Sequence, residues 1–168
     1  MDGSTPNALI QATDGNFYGT TEFGGTKNNG TVFKLNNRGG LTVIHRFIGT
    51  DGSTPRAALW QGTDGSLYGT TSKGGANNGG TIFRISLGLA AFVKTVQDAG
   101  AVGASVIIYG NGLTGSTSVT FNGTSALFSI VSDTEITTTV PAGATIGKIQ
   151  VVTPSTTLSS NVAFEVLP

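Results

Sequence analysis

His45 is the only histidine of this 168-residue chain, which has no cysteine. A nucleophile–base pair would set such a ring beside a serine or aspartate, with a third group to orient it. Here it falls between Ile44 and Arg46 in an apolar-alternating run, and it reads as a packing or hydrogen-bonding residue. One histidine without cysteine is equally poor as a metal site. The acids are more suggestive, because Asp2 returns as Asp51 and Asp14 as Asp64. A calcium loop would gather further oxygens around them, for which Asn28, Asn29, Asn77 and Asn78 are available. Their spacing matches no cation loop, and Asp-Gly turns account for the recurring acids. Tyr18, Tyr68 and Trp60 offer ring faces on which the C–H side of a pyranose stacks; the competing use of the tyrosines is to fill space between neighbouring sheets. Glycoside hydrolysis needs two carboxylates about 5–10 Å apart. Four of the nine acidic residues stand beside turn glycines instead. No catalytic residue, metal site or cofactor is assigned, and the chain is not expected to be an enzyme. Trp60, Tyr18, Tyr68, Asp14 and Asp64 are the ligand-binding candidates.

These residues sit on a repeat. Asp2-Gly3-Ser4-Thr5-Pro6 returns 49 residues later as Asp51-Gly52-Ser53-Thr54-Pro55. Thr13-Asp14-Gly15 and Tyr18-Gly19-Thr20-Thr21 return 50 residues later, so one residue is inserted between Pro55 and Gln61. From Thr13 to Leu35, 13 of 23 residues equal their partners. Short apolar runs predict strands over 8–12, 17–23, 31–35 and 41–47, with Asp-Gly and Gly-Gly turns between them and the Asp2–Pro6 stretch read as a loop. The second copy predicts strands over 57–63, 67–72 and 81–87 and lacks the fourth. Four strands in about 50 residues correspond to one β-propeller blade.

The DGSTP stretch, TDG-x-x-YGTT, the Gly-Gly loop and Gly-Thr-(Val/Ile)-Phe-(Lys/Arg)-(Leu/Ile) resemble the GloVer repeats, a bacterial family of choice-of-anchor tandem repeats. The likeness covers residues 2–87. It implies a secreted or surface-anchored protein, and no catalytic residue belongs to the motif.

From about Ala90 a different pattern begins, with strands expected over 92–96, 105–109, 118–121, 126–130, 135–140, 148–153 and 162–167. Asn122-Gly123 is a hairpin signal. Seven short strands near ten-residue spacing predict an immunoglobulin-like sandwich, and the lack of cysteines excludes the antibody type. Residues 103–113 (GASVIIYGNGL), 118–123 (SVTFNG), 132–136 (SDTEI), 140–143 (VPAG) and 147–151 (GKIQV) resemble IPT/TIG domains, an immunoglobulin-like family. Members that are transcription factors hold DNA through basic loops; this copy offers only Lys94 and Lys148.

The expected fold is therefore all-β. Two propeller-blade-like repeats fill 2–89 (2–50 and 51–89, the second truncated), and a β-sandwich fills 90–168. Charged residues are 11%, and nine basic side chains balance nine acidic ones. That leaves no basic stripe for nucleic acid. No run of about 18 apolar residues predicts a membrane span. The reading of function is a non-catalytic extracellular or cell-surface adhesion module, with any signal segment upstream of Met1. The alternative is a carbohydrate-binding module of a larger glycan-active protein, with surface glycans as partners. Two repeats are fewer than the about three that such arrays need, so self-association through the repeat half, into a homo-oligomer or fibre, is expected.

Overall fold

Gly19, Thr21 and Phe33 belong to one sheet face, and Tyr18, Thr20 and Val32 to the other, because successive side chains of a strand alternate. The computed structural model describes residues 2–168, which are all-β without a helix. Several antiparallel sheets form, none closed into a barrel. The chain divides into two compact units at Leu89–Ala90.

In the N-terminal unit, β1 (Gly3–Pro6), β2 (Ile10–Gln11), β3 (Phe17–Gly24), β4 (Thr31–Leu35) and β5 (Leu41–Arg46) make one sheet. β1 and β2 share one edge of β3, with Pro6 opposite Thr21 and Ile10 opposite Tyr18. β4 lies along the other edge, and β5 lies beyond it. The second sheet has β6 (Ser53–Pro55), β7 (Trp60–Gln61), β8 (Leu67–Lys73) and β9 (Thr81–Ile85). Its register is that of the first, 50 residues on: Gly69 faces Phe83 as Gly19 faces Phe33. No strand follows β9 in it. The residue inserted after Pro55 lies in the connection from β6 to β7.

The Asp-Gly-Ser-Thr-Pro stretch departs from its sequence reading as a loop. Gly3–Pro6 and Ser53–Pro55 are edge strands, a position where proline's missing N–H costs nothing. Thr5 and Thr54 sit within them at φ 57° and 58°, a conformation β-branched residues seldom adopt. Recurrent threonines have a shared task. Thr21 and Thr31 hydroxyls meet at 2.8 Å, and the Thr31 N–H donates to Thr21 Oγ1; Thr71 and Thr81 repeat both contacts. Glycines take the close approaches. A Cβ at Gly69 would meet the Phe83 ring and the Leu59 side chain.

The two sheets share one core of Ala12, Tyr18, Val32, Phe47, Leu59 and Leu67. Phe47, just past β5, is fully buried and packs edge-on to Phe83 at 5.0 Å. Polar contacts cross beside it. Arg56 donates to Glu22, the Thr54 N–H donates to the Asn29 carbonyl at 2.9 Å, and Gln61 and Thr13 exchange two hydrogen bonds.

In the C-terminal unit, β10 (Lys94–Thr95), β12 (Ser105–Tyr109), β15 (Phe128–Ser132) and β16 (Glu135–Thr139) form one antiparallel sheet. β13 (Ser118–Phe121), β14 (Thr124–Ser125), β17 (Ile149–Val152) and β18 (Thr157–Ser159) form another. β11 (Ala99–Ala101) runs parallel to β19 (Glu165–Leu167). Val106 and Ile108, Val119 and Phe121, Ile136, and Ile149 and Val151 alternate inward from both sheets to a single core. Each such side chain contributes about 1.5–3 kcal/mol on burial. β11, β14 and β18 have no counterpart among the expected strands: Ala-Gly-Ala, Thr-Ser and Thr-Leu-Ser are too short and too weakly alternating to register.

Candidate functional site

Asp14 and Asp64 each open a tight turn and then reach across it. Asp14 Oδ1 accepts the Asn16 N–H at 3.1 Å, and Asp64 Oδ1 accepts the Ser66 N–H at 2.9 Å, closing an Asx turn in each copy. The second carboxylate oxygen is aimed at the following strand. Tyr18 Oη donates to Asp14 Oδ2 at 2.8 Å, and Tyr68 Oη donates to Asp64 Oδ2 at 2.9 Å. A cation from the neighbouring strand completes each cluster, with Lys34 Nζ at 3.6 Å from Asp14 and Arg84 at 3.2 Å from Asp64. Arg84 also donates through Nε to Ser66 Oγ at 2.9 Å.

The electrostatics follow from these contacts. Burial pushes the Asp14 carboxyl up, but hydrogen bonds from Asn16 and Tyr18 and the Lys34 charge outweigh it, so its pKa lies below the ordinary carboxylate value. Asp64 is likewise pushed up by burial and, on balance, brought down by Ser66, Tyr68 and Arg84. Burial raises the Tyr18 phenol, and the Asp14 carboxylate raises it further. For Tyr68 the hydrogen bond to Asp64 leads, with burial second. Both tyrosines are held as neutral donors and both aspartates as anions. Neither pair is poised to exchange a proton near neutral pH.

The sequence candidates therefore separate. Tyr18 is buried in the core and offers no ring face to a ligand, whereas Tyr68 is half-buried. Trp60 stands opposite Tyr68 across β7–β8, with ring centroids 6.3 Å apart and planes tilted by 48°, and Trp60 is 54% exposed. Its counterpart is Ile10, which faces Tyr18 at the same register position. The structure thus brings Trp60, Tyr68 and Asp64 together on the second sheet. Asp14 and Tyr18 make the same construction on the first sheet without the indole.

Two of the four asparagines considered for calcium close turns, and Asn29 Oδ1 instead accepts from Ser53 Oγ at 3.1 Å. Asn28 and Asn78, at φ 57° and 54°, accept the Gly24 and Gly74 N–H groups through their side chains. Among the described residues no group of three or more histidine or acidic side chains is placed to hold a metal ion. His45 Nε2 lies 2.9 Å from Asp51 Oδ2, while Asp51 Oδ1 accepts the Ile48 N–H. Sequence reasoning passed over Lys34 and Arg84. Their signal was a basic residue in phase with the aspartates, 20 positions after each.

The family model of the Gloeobacter/Verrucomicrobia repeat matches residues 1–161. No curated protein matches the chain. Among solved structures, a fungal alcohol oxidase of the AA5 family in complex with copper aligns over 98% of this chain at 14% identity and a TM-score of 0.35. The chain spans 42% of that protein's length, and a likeness this distant carries no argument.

Proposed function

The chain belongs to the Gloeobacter/Verrucomicrobia repeat family, and we propose that it is a non-catalytic structural and adhesion module of the cell exterior that associates with itself through its repeat half. In this reading the two N-terminal sheets are neighbouring propeller-type blades, the second without its outer strand. The C-terminal unit is an immunoglobulin-like sandwich of the IPT/TIG type that serves as a spacer. The observation that carries the reading is the closure of the two Asp–Tyr–cation clusters. The side chains best suited to chemistry are bound to one another in the same way in both copies, which is what a repeated scaffold requires and a reacting site does not. The test is a titration of the purified chain against insoluble polysaccharides and a panel of small substrates, run beside light scattering. Concentration-dependent assembly without turnover or binding is expected; saturable turnover of any substrate refutes the reading.

A second reading rests on Trp60. An exposed indole beside a tyrosine ring, with Asp64 and Arg84 within reach of that tyrosine's hydroxyl, has the makings of a sugar-stacking platform. On that account the module binds surface glycans. Sedimentation with insoluble polysaccharide that disappears in Trp60→Ala, while the thermal melt is unchanged, decides for it.

A further inference from the structure

Val32 and Ile82 occupy the same place in the two copies, each opposite a threonine in the same register, Thr20 or Thr70. Val32 is completely buried and Ile82 is 83% exposed. What covers Val32 is the second sheet, which contributes Leu59 and Leu67 to the shared core. Leu59 is 3% exposed, while its counterpart Leu9 on the first sheet is 47% exposed. Pro55 and Pro6 repeat the contrast, buried in the second copy and exposed in the first. One molecule therefore carries, at opposite ends of its repeat unit, the two halves of an interface that it already forms once inside itself.

We infer that the Ile82 face of the second sheet docks the Leu9–Pro6 face of the first sheet of a second copy, head to tail, in the arrangement by which the two sheets meet within one chain. This rests on the self-association proposed above and gives it a surface and a polarity. Three features specify the fit. The groove lined by Thr70, Thr71, Gly79, Gly80, Thr81 and Ile82 is open. Its counterpart on the first sheet is filled, to the point that a Cβ at Gly30 would meet Pro55 Cδ at 2.7 Å. Thr5 holds the unusual φ of 57° that Thr54 adopts where its N–H donates to the Asn29 carbonyl. The conformation used for docking is thus already present on the undocked face. Finally, residues 90–168, which directly follow the second copy, do not repeat its pattern.

The copies differ in their polar contacts. Glu22, Asn29 and Arg56, which pin the internal interface, correspond to Ser72, Gly79 and Asn7. The contact between molecules is therefore mainly apolar and weaker than the internal one. A head-to-tail contact closes into a ring or extends as a fibre according to its rotation.

The experiment is sedimentation velocity on the full chain over a range of concentrations, with Ile82→Asp and Leu9→Asp alone and mixed. Circular dichroism melts check that both variants are folded. The wild type is expected to associate with rising concentration. Either variant should weaken that association at least tenfold, the scale of about 1.4 kcal/mol at a contact, and sediment as a 17.0 kDa species. Mixed in equal amounts, the two should form a species of two chains and no more, since each retains the face the other has lost. If Leu9→Asp melts early, Ile82→Asp added to wild type should shorten the assemblies by capping one end. A wild type that assembles equally well with either substitution overturns this interface and leaves the self-associating module standing. A wild type that is monomeric at every concentration overturns both.

Discussion

Tyr68 donates its hydroxyl hydrogen to Asp64 at 2.9 Å, and 50 residues earlier Tyr18 makes the same bond to Asp14 at 2.8 Å. Two copies of one contact, each braced by a cation from the next strand, turn the most reactive-looking residues of the chain into staples that fasten a turn to its sheet. Their surroundings differ: the tyrosine of the first copy is buried in the core shared with the second sheet, and that of the second copy is half-buried beside Trp60.

The staples predict how stability varies with pH. Asp14 and Asp64 have pKa values below the ordinary carboxylate value of 3.8. A depressed folded-state value contributes stability that is present above the unfolded pKa and lost as pH falls through the folded one. The N-terminal unit should therefore loosen below about pH 4. Tyr18 is raised above 10.0, so its contribution is complete below pH 10 and disappears as pH climbs toward the folded value. Urea melts followed by near-ultraviolet circular dichroism from pH 2 to 11 check both limbs. Asp14→Asn and Asp64→Asn together should flatten the acid limb.

Gly69→Ala and Gly79→Ala should behave oppositely. The added methyl at Gly69 runs into Phe83 and Leu59, so overpacking should cost more than about 1 kcal/mol. A methyl at Gly79 would meet nothing within 4 Å, and the backbone there is not left-handed. Alanine at that position should be neutral or stabilising by about 0.5 kcal/mol through the unfolded chain. Chemical denaturation midpoints of the two variants measure the contrast.

Phe47 joins the two sheets, fully buried between His45 at 4.8 Å and Phe83 at 5.0 Å. Phe47→Ala should cost about 3–5 kcal/mol. The loss should appear in the melt of residues 2–89 and leave the core around Phe121 and Phe164 untouched. Hydrogen exchange, read separately over the two units, checks this.

The legible part of the fold was what repeats. Thr13-Asp14-Gly15, Tyr18 to Thr21 and the Gly-Gly loops located β3, β4, β8 and β9, because turn chemistry and alternation act over a few residues and leave a periodic trace. Gly25 and Gly75, in phase in the two Gly-Gly loops, have φ of 73° and 76°. The edge strands at Gly3–Pro6 and Ser53–Pro55 were illegible, since Asp-Gly-Ser-Thr-Pro has the composition of a turn and becomes a strand only by pairing with the far end of β3 or β8. The candidate site was half legible. Asp14, Tyr18, Asp64 and Tyr68 were singled out, but their mutual hydrogen bonds and the burial of Tyr18 depend on tertiary contacts that no local pattern records.

Residues 90–168 should fold alone. Twelve buried apolar side chains, from both of the unit's four-stranded sheets and the segments that flank its strands, make a core of their own. A cooperative thermal melt of the excised fragment, with a β-sheet circular dichroism spectrum, is the expected outcome.

The most direct test of the account is the thermal midpoint of the repeat unit in Asp14→Asn with Asp64→Asn. If these carboxylates are staples, Asp14→Asn leaves the buried Tyr18 hydroxyl without its anionic acceptor and costs about 1 kcal/mol, and Asp64→Asn, beside the more exposed Tyr68, costs less. The midpoint should then fall by about 4–8 °C for Asp14→Asn on the scale of a small domain, with the smaller loss at Asp64 adding to it. An unchanged midpoint, in a chain that has lost binding to a polysaccharide it bound before, would contradict the account and show that the acids face a ligand.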